Sequence, residues 1–172
     1  MRRRFGLAAV VTAALVALPL LANAAMAAAN TGVRTNGDER VIPNSMVQST
    51  LRFTPGHITV NSGEEATWTH DDATTAPHTA TIVEAFPAPT LDAIFGCGAP
   101  GGVCAAALDA HFAGGVFHPV VEAGSPGLDA PGDSLMFFDD GSISAEVTAP
   151  PGATLKYLCA IHPWMQGTIS VR

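Results

Sequence analysis

From Met46 onward the apolar positions fall in short runs cut by Pro, Gly and Asn. Val47 to Phe53, His57 to Val60, Ala66 to Thr69 and Thr79 to Val83 are β-prone, with Asn61-Ser62-Gly63-Glu64 as a turn. Strand signals return at Ser134 to Phe138 and stop at the turn Asp139-Asp140-Gly141. Ile143, Ala145 and Val147 then alternate with Ser144 and Glu146, the period of a half-buried strand. After Pro150-Pro151-Gly152, Leu155, Tyr157 and Cys159 share one face of another strand, and a last run spans Thr168 to Val171. Several short strands with turns between them and no long amphipathic helix predict an all-β, antiparallel sandwich or barrel.

Three stretches break this pattern. Residues 86–133 are rich in Ala, Gly and Pro and read as one long insertion, in which Thr90 caps a short helix through Phe95 and Val103 to Phe112 forms another. A loop of that length in a compact domain needs pinning. Residues 25–45 are small and polar with no sustained period, which predicts a flexible leader ahead of a domain over 46–172. Residues 1–24 have the parts of a signal peptide: basic Arg2-Arg3-Arg4, an apolar run from Leu7 to Leu21, and the small-x-small site Ala22-Asn23-Ala24. The apolar run is short of the roughly 20 residues of an ordinary spanning helix, so no membrane span is expected in the mature chain. Export to the periplasm, cell envelope or extracellular space follows as an expectation.

Charge narrows the partners. The 172 residues carry a formal charge of −7, and cleavage after residue 24 would remove three arginines and leave −10. So acidic a domain is not expected to bind nucleic acid. No paired carboxylates, Ser-His-Asp set or phosphate-cradling loop stands out, so no enzymatic activity is expected.

Three cysteines in an exported chain leave one over for chemistry. Three pairings are possible; Cys97 with Cys104 is favoured because both lie on one flexible segment, and Cys159 is then the odd one. Cys159, His162 and Met165 recur every third residue between two expected strands, and Pro163 argues for a tight loop there rather than a helix. One thiolate, imidazole and a thioether suit copper, and a His2Cys set with a weak axial Met is an electron-transfer arrangement, whereas zinc more often recruits further cysteines. The second imidazole must come from elsewhere. His78, at the start of a strand after Pro77, is the best placed; His57 is expected to be exposed, and His70, beside Asp71 and Asp72, to sit in a solvated turn. His111 and His118 fall in the insertion and are candidates for a separate ion. Ile161, Pro163 and Trp164 are expected to surround the edge of His162 and offer an apolar docking patch.

Pro77-His78 ahead of a β run, Tyr157-x-Cys159-x-x-His162-Pro163-x-Met165 and the closing Gly167-Thr168-Ile169-x-Val171 resemble the plastocyanin, amicyanin and halocyanin group of cupredoxins. The resemblance covers about residues 46–84 and 134–172. It implies a Greek-key β-sandwich, one type 1 copper ion, and single-electron transfer by a monomer between a redox protein donor and a redox protein acceptor. The insertion, and Thr79 where plastocyanins often have Asn, depart from that pattern. A copper-delivery protein of the cell envelope and a copper-free structural module are the alternatives.

Overall fold

The structure, a computed structural model, describes residues 31–172; the expected signal peptide lies outside the described residues. In chain order the strands are β1 (Gly32–Asn36), β2 (Glu39–Ile42), β3 (Met46–Ser49), β4 (Arg52–Thr54), β5 (His57–Val60), β6 (Glu65–Thr69) and β7 (His78–Val83). Helices α1 (Leu91–Gly96) and α2 (Val103–His111) follow, then β8 (Val120–Val121), β9 (Ser134–Phe137), β10 (Ser142–Glu146), β11 (Thr154–Leu158) and β12 (Gln166–Val171). Two sheets form a sandwich, one ordered β10-β6-β1-β4 and the other β5-β12-β11-β7-β9-β8, with β2 and β3 as a separate hairpin. The all-β expectation holds, but the sheets are mixed: β1 runs parallel to β6, and β5 parallel to β12. These parallel neighbours belong to strands whose chain connections pass through other elements rather than through a direct hairpin.

Two sequence expectations change. The leader expected over 25–45 is not a leader where the structure describes it. Gly32–Asn36 enters the four-stranded sheet between β6 and β4, burying Val33 and Thr35 on alternate positions. With one of those two core positions polar, the period is invisible to hydropathy. The run Val47 to Phe53 divides because Thr50 is tied to Asp38: its N–H donates to the Asp38 carbonyl at 2.9 Å, and its hydroxyl oxygen accepts the Asp38 N–H at 2.9 Å. That anchor turns β3 into the hairpin and sends β4 to the sheet.

The core between the sheets centres on Tyr157, whose ring lies 5.4 Å from Trp68 in an edge-on contact and 5.0 Å from Phe53. Aromatic pairs at such separations add about 0.5–1.5 kcal/mol beyond their buried area. Gly167 is opposite Tyr157 on β12, and a Cβ there would approach the phenol within 3.0 Å, so the large ring and the bare position are one packing unit.

The insertion is pinned as its composition required. Thr90 caps α1 by accepting the Ala93 N–H at 3.3 Å, and the Cys97–Cys104 disulfide joins α1's end to α2 across a Cα separation of 5.0 Å. The two cysteines pack with Val83, Ala107, Leu158 and Ala160 as a second apolar cluster, so the disulfide sits against the strand that leads into Cys159. At the far end of the insertion the buried Asp133 carboxylate accepts the N–H groups of Ala123, Asp129 and Ala130 at 2.8–2.9 Å. β8 then pairs on β9 as the edge of the larger sheet.

Candidate metal centre

β7 and β11 are antiparallel neighbours in register at Leu158 with Thr81. Continuing that register puts Cys159, the residue after β11, level with Ala80, and so on the same face as His78, which begins β7 two residues away. The intervening loop folds back on itself: the Cys159 N–H donates to the Met165 carbonyl at 3.0 Å, and the Met165 N–H to the His162 carbonyl at 2.8 Å. Pro163, with no N–H to satisfy, sits at the turn, and the Gln166 side-chain amide donates to its carbonyl at 3.0 Å.

Three side chains converge as a result. The Cys159 sulfur is 3.7 Å from His78 Nδ1 and 3.6 Å from His162 Nδ1, and the two imidazole rings are 5.0 Å apart. His78, Cys159 and Met165 are fully buried and His162 is 5% exposed. The donor atoms of the two histidines and the cysteine all lie within 4.8 Å of one another.

The surroundings make these groups donors. Burial, offset in part by Asp72, pushes the His78 ring down to about 4, so its ring is neutral at neutral pH and one nitrogen keeps a lone pair. Burial likewise lowers His162, while Glu39 and Asp72 pull the other way. Burial pushes the Cys159 thiol up, against the Thr79 N–H that donates to its sulfur at 3.4 Å. A buried thiol that resists ionisation beside two unprotonated imidazoles is a pocket that a cation would convert to thiolate.

An ion fits the donor set. Metal–sulfur and metal–nitrogen bonds of about 2.3 and 2.0 Å place S and N about 3.5 Å apart in a tetrahedral centre and about 3.7 Å apart in a trigonal one. The observed 3.6 and 3.7 Å lie in that interval.

The sandwich, together with a Cys-x-x-His-x-x-Met loop that returns to a histidine on the neighbouring strand, decides the architecture. The fold is cupredoxin-like. No protein-family model matches the chain, and no curated protein matches it. Among solved structures, this cupredoxin-like chain is similar to a novel purple cupredoxin from Nitrosopumilus maritimus, at 16% identity and a TM-score of 0.42, covering 82% of this chain and 98% of that one. It is similar to auracyanin from Roseiflexus castenholzii at 22% identity and a TM-score of 0.43, covering 84% and 98%. Auracyanin A, a "blue" copper protein from Chloroflexus aurantiacus, matches at 17% identity and a TM-score of 0.45, covering 82% and 98%.

Beyond its donors, the cupredoxin-like site holds residues that sequence reasoning missed. His78 Nε2 lies 2.9 Å from Asp72 Oδ2, off the axis of the ring N–H, and both side chains are fully buried. Asp72 is fixed from its other oxygen, which accepts the Thr74 N–H at 3.0 Å and the Thr74 hydroxyl at 2.7 Å. Burial would raise this carboxyl, but hydrogen bonds from Thr35 and Thr74, with His78, hold it below its ordinary value. The solvated turn expected at 70–72 is thus corrected: His70 is buried, its Nε2 3.1 Å from the Ala76 carbonyl and its ring 5.1 Å from that of His78. The Asp72-x-Thr74 spacing, which lets a carboxylate take two hydrogen bonds from one threonine, is the signal that was available. Glu39, in the expected leader, stands 3.9 Å from His162 Nε2.

The other histidines lie apart from the donor set. His57 is exposed and bonds Thr168 Oγ1 at 2.8 Å, and neither His111 nor His118 belongs to a metal-competent group among the described residues. The docking patch also changes. Trp164 is 39% exposed and meets the His162 ring edge-on at 5.3 Å, but Pro163 is buried and Ile161 is half-buried against the main core. Trp164 instead borders an apolar groove of about 890 Å³ shared with Phe86, Leu91, Phe95 and Val47.

Proposed function

We propose that this chain is an exported, mononuclear type 1 copper protein that carries single electrons between a redox protein donor and a redox protein acceptor. The observation that carries the reading is one sulfur facing two imidazole nitrogens at 3.6 and 3.7 Å in a buried pocket, with the other two cysteines joined in a disulfide. Copper, when bound, supplies the one-electron couple.

The protein's own part is to hold the donors still. Cys159, His78 and His162 are the proposed ligands, and Met165, buried on the same loop as Cys159 and His162, would be a fourth. His78 is steadied by Asp72, and the strand register holds Cys159 beside it, so little movement accompanies a change of charge. Trp164 and the nearly covered edge of His162 form the proposed approach for a partner, and weak redox encounters bury little surface. A single domain of this size acts as a monomer in this reading. Export is supported by the basic and apolar N-terminal sequence and by a disulfide of the kind that persists in oxidising compartments.

Copper(II) added to the purified mature domain is expected to give one equivalent of bound metal with an intense visible band, lost in Cys159→Ser. Colour that survives Cys159→Ser would refute the proposal, because it would come from copper held elsewhere.

A further inference from the structure

His111 on α2 is fully buried, and both of its ring nitrogens are engaged. Nδ1 lies 2.6 Å from the His118 carbonyl oxygen and Nε2 lies 2.8 Å from Ser134 Oγ. From Ser134 a line of hydroxyls runs to the metal centre. Ser134 Oγ is 2.7 Å from Thr81 Oγ1, which is 2.9 Å from Thr79 Oγ1, and Thr79 Oγ1 accepts the Ala160 N–H at 2.8 Å. All four side chains are 0% exposed, so no water competes for these bonds.

The direction of the line follows from elementary donor counting. A carbonyl oxygen only accepts, so His111 Nδ1 must carry the ring proton. Burial pushes the His111 ring down, which leaves it neutral and makes Nε2 an acceptor. Ser134 therefore donates to Nε2. With that proton committed, Ser134 accepts from Thr81, and Thr81, likewise committed, accepts from Thr79. The Thr79 hydroxyl has one proton, and it points at Thr81.

That matters because Thr79 also borders the Cys159 sulfur, where its hydroxyl proton would stabilise a thiolate. The relay withholds that proton, and the sulfur keeps the Thr79 backbone N–H at 3.4 Å. Hydrogen bonds to a metal-bound thiolate draw charge from it and favour the reduced metal, so their number sets the potential.

We propose that His111 is a positioning residue for the metal centre: by accepting the Ser134 proton at Nε2 it orients the Ser134–Thr81–Thr79 relay so that the Thr79 hydroxyl turns away from the Cys159 sulfur and the reduction potential is held low. The inference rests on the copper reading above, and it gives the insertion a role at the site.

Thr81→Val tests it, because valine keeps the shape and strand preference of threonine while cutting the relay. Ser134 still donates to His111 and Thr79 still accepts the Ala160 N–H, so the freed Thr79 proton turns to the sulfur. The expected result is a shift of about tenfold toward the reduced form in equilibrium with a one-electron titrant, ~59 mV upward, with copper stoichiometry unchanged. Ser134→Ala shifts the potential the same way, and adding Thr79→Val to Thr81→Val removes the rise. An intact visible band with an unmoved potential in both Thr81→Val and Ser134→Ala overturns the inference while leaving the copper reading standing. Nitrogen NMR of the metal-free protein decides the relay without copper: His111 protonated at Nδ1 supports it, and His111 protonated at Nε2 overturns it.

Discussion

Acidifying the metal-free protein tests the buried donor set most directly. His78 is neutral in the fold because burial pushes its ring from the usual 6.5 down to about 4, whereas in the unfolded chain it titrates near the usual value. Above that value both states are neutral and the ring contributes no pH dependence. As the pH falls from about 6.5 toward about 4 the unfolded chain takes up a proton that the fold refuses, so stability present above the window is lost within it. A difference from 6.5 to about 4 corresponds to about 3 kcal/mol. His111 and His162 are lowered by burial too and add to the loss in the same direction. Urea unfolding of the metal-free protein at about pH 7 and about pH 4.5 measures it, and His78→Gln should flatten the slope by up to ~1.4 kcal/mol per pH unit. Equal stability at the two pH values, or a slope unchanged in His78→Gln, would mean that this ring is not held neutral in a closed pocket.

Two further predictions concern residues around the donors. Asp72→Asn removes the carboxylate that faces His78 Nε2 and is expected to weaken copper binding by about 10–100-fold in a competition titration; a change below about twofold would show that Asp72 does not orient the ring. Gly167→Ala drives a methyl group into the fully buried Tyr157 ring and is expected to cost about 1–3 kcal/mol by chemical denaturation, with a cost under about 0.5 kcal/mol refuting the packing argument.

Several elements were legible because their cues are local. Ile143, Ala145 and Val147 announce β10 by alternation, and Cys159, His162 and Met165 announce a turned loop by their spacing around Pro163. Thr90 and the Ala-rich stretch from Val103 likewise announced two helices inside the insertion. What stayed hidden depends on contacts between distant segments. β1 carries one apolar core residue, Val33, and is a strand because β4 and β6 pair with it. Asp72 looked solvated beside Asp71, and only the fold puts it against His78. The line from His111 to Thr79 joins a helix and two strands through hydroxyls that no hydropathy pattern marks.

The antiparallel pairing of β7 and β11 divides the candidate donors in two. His78 begins β7, where it is paired with Phe137 of β9, and Cys159 directly follows β11, so a slip of one residue between β7 and β11 would turn one of the two side chains to the opposite face. His162 and Met165 depend only on how the short span after Cys159 returns to β12. Lengthening or reshaping that span therefore alters half of the cage while the other half keeps its place, which makes it the natural ground for grafting a different metal chemistry onto an unchanged scaffold.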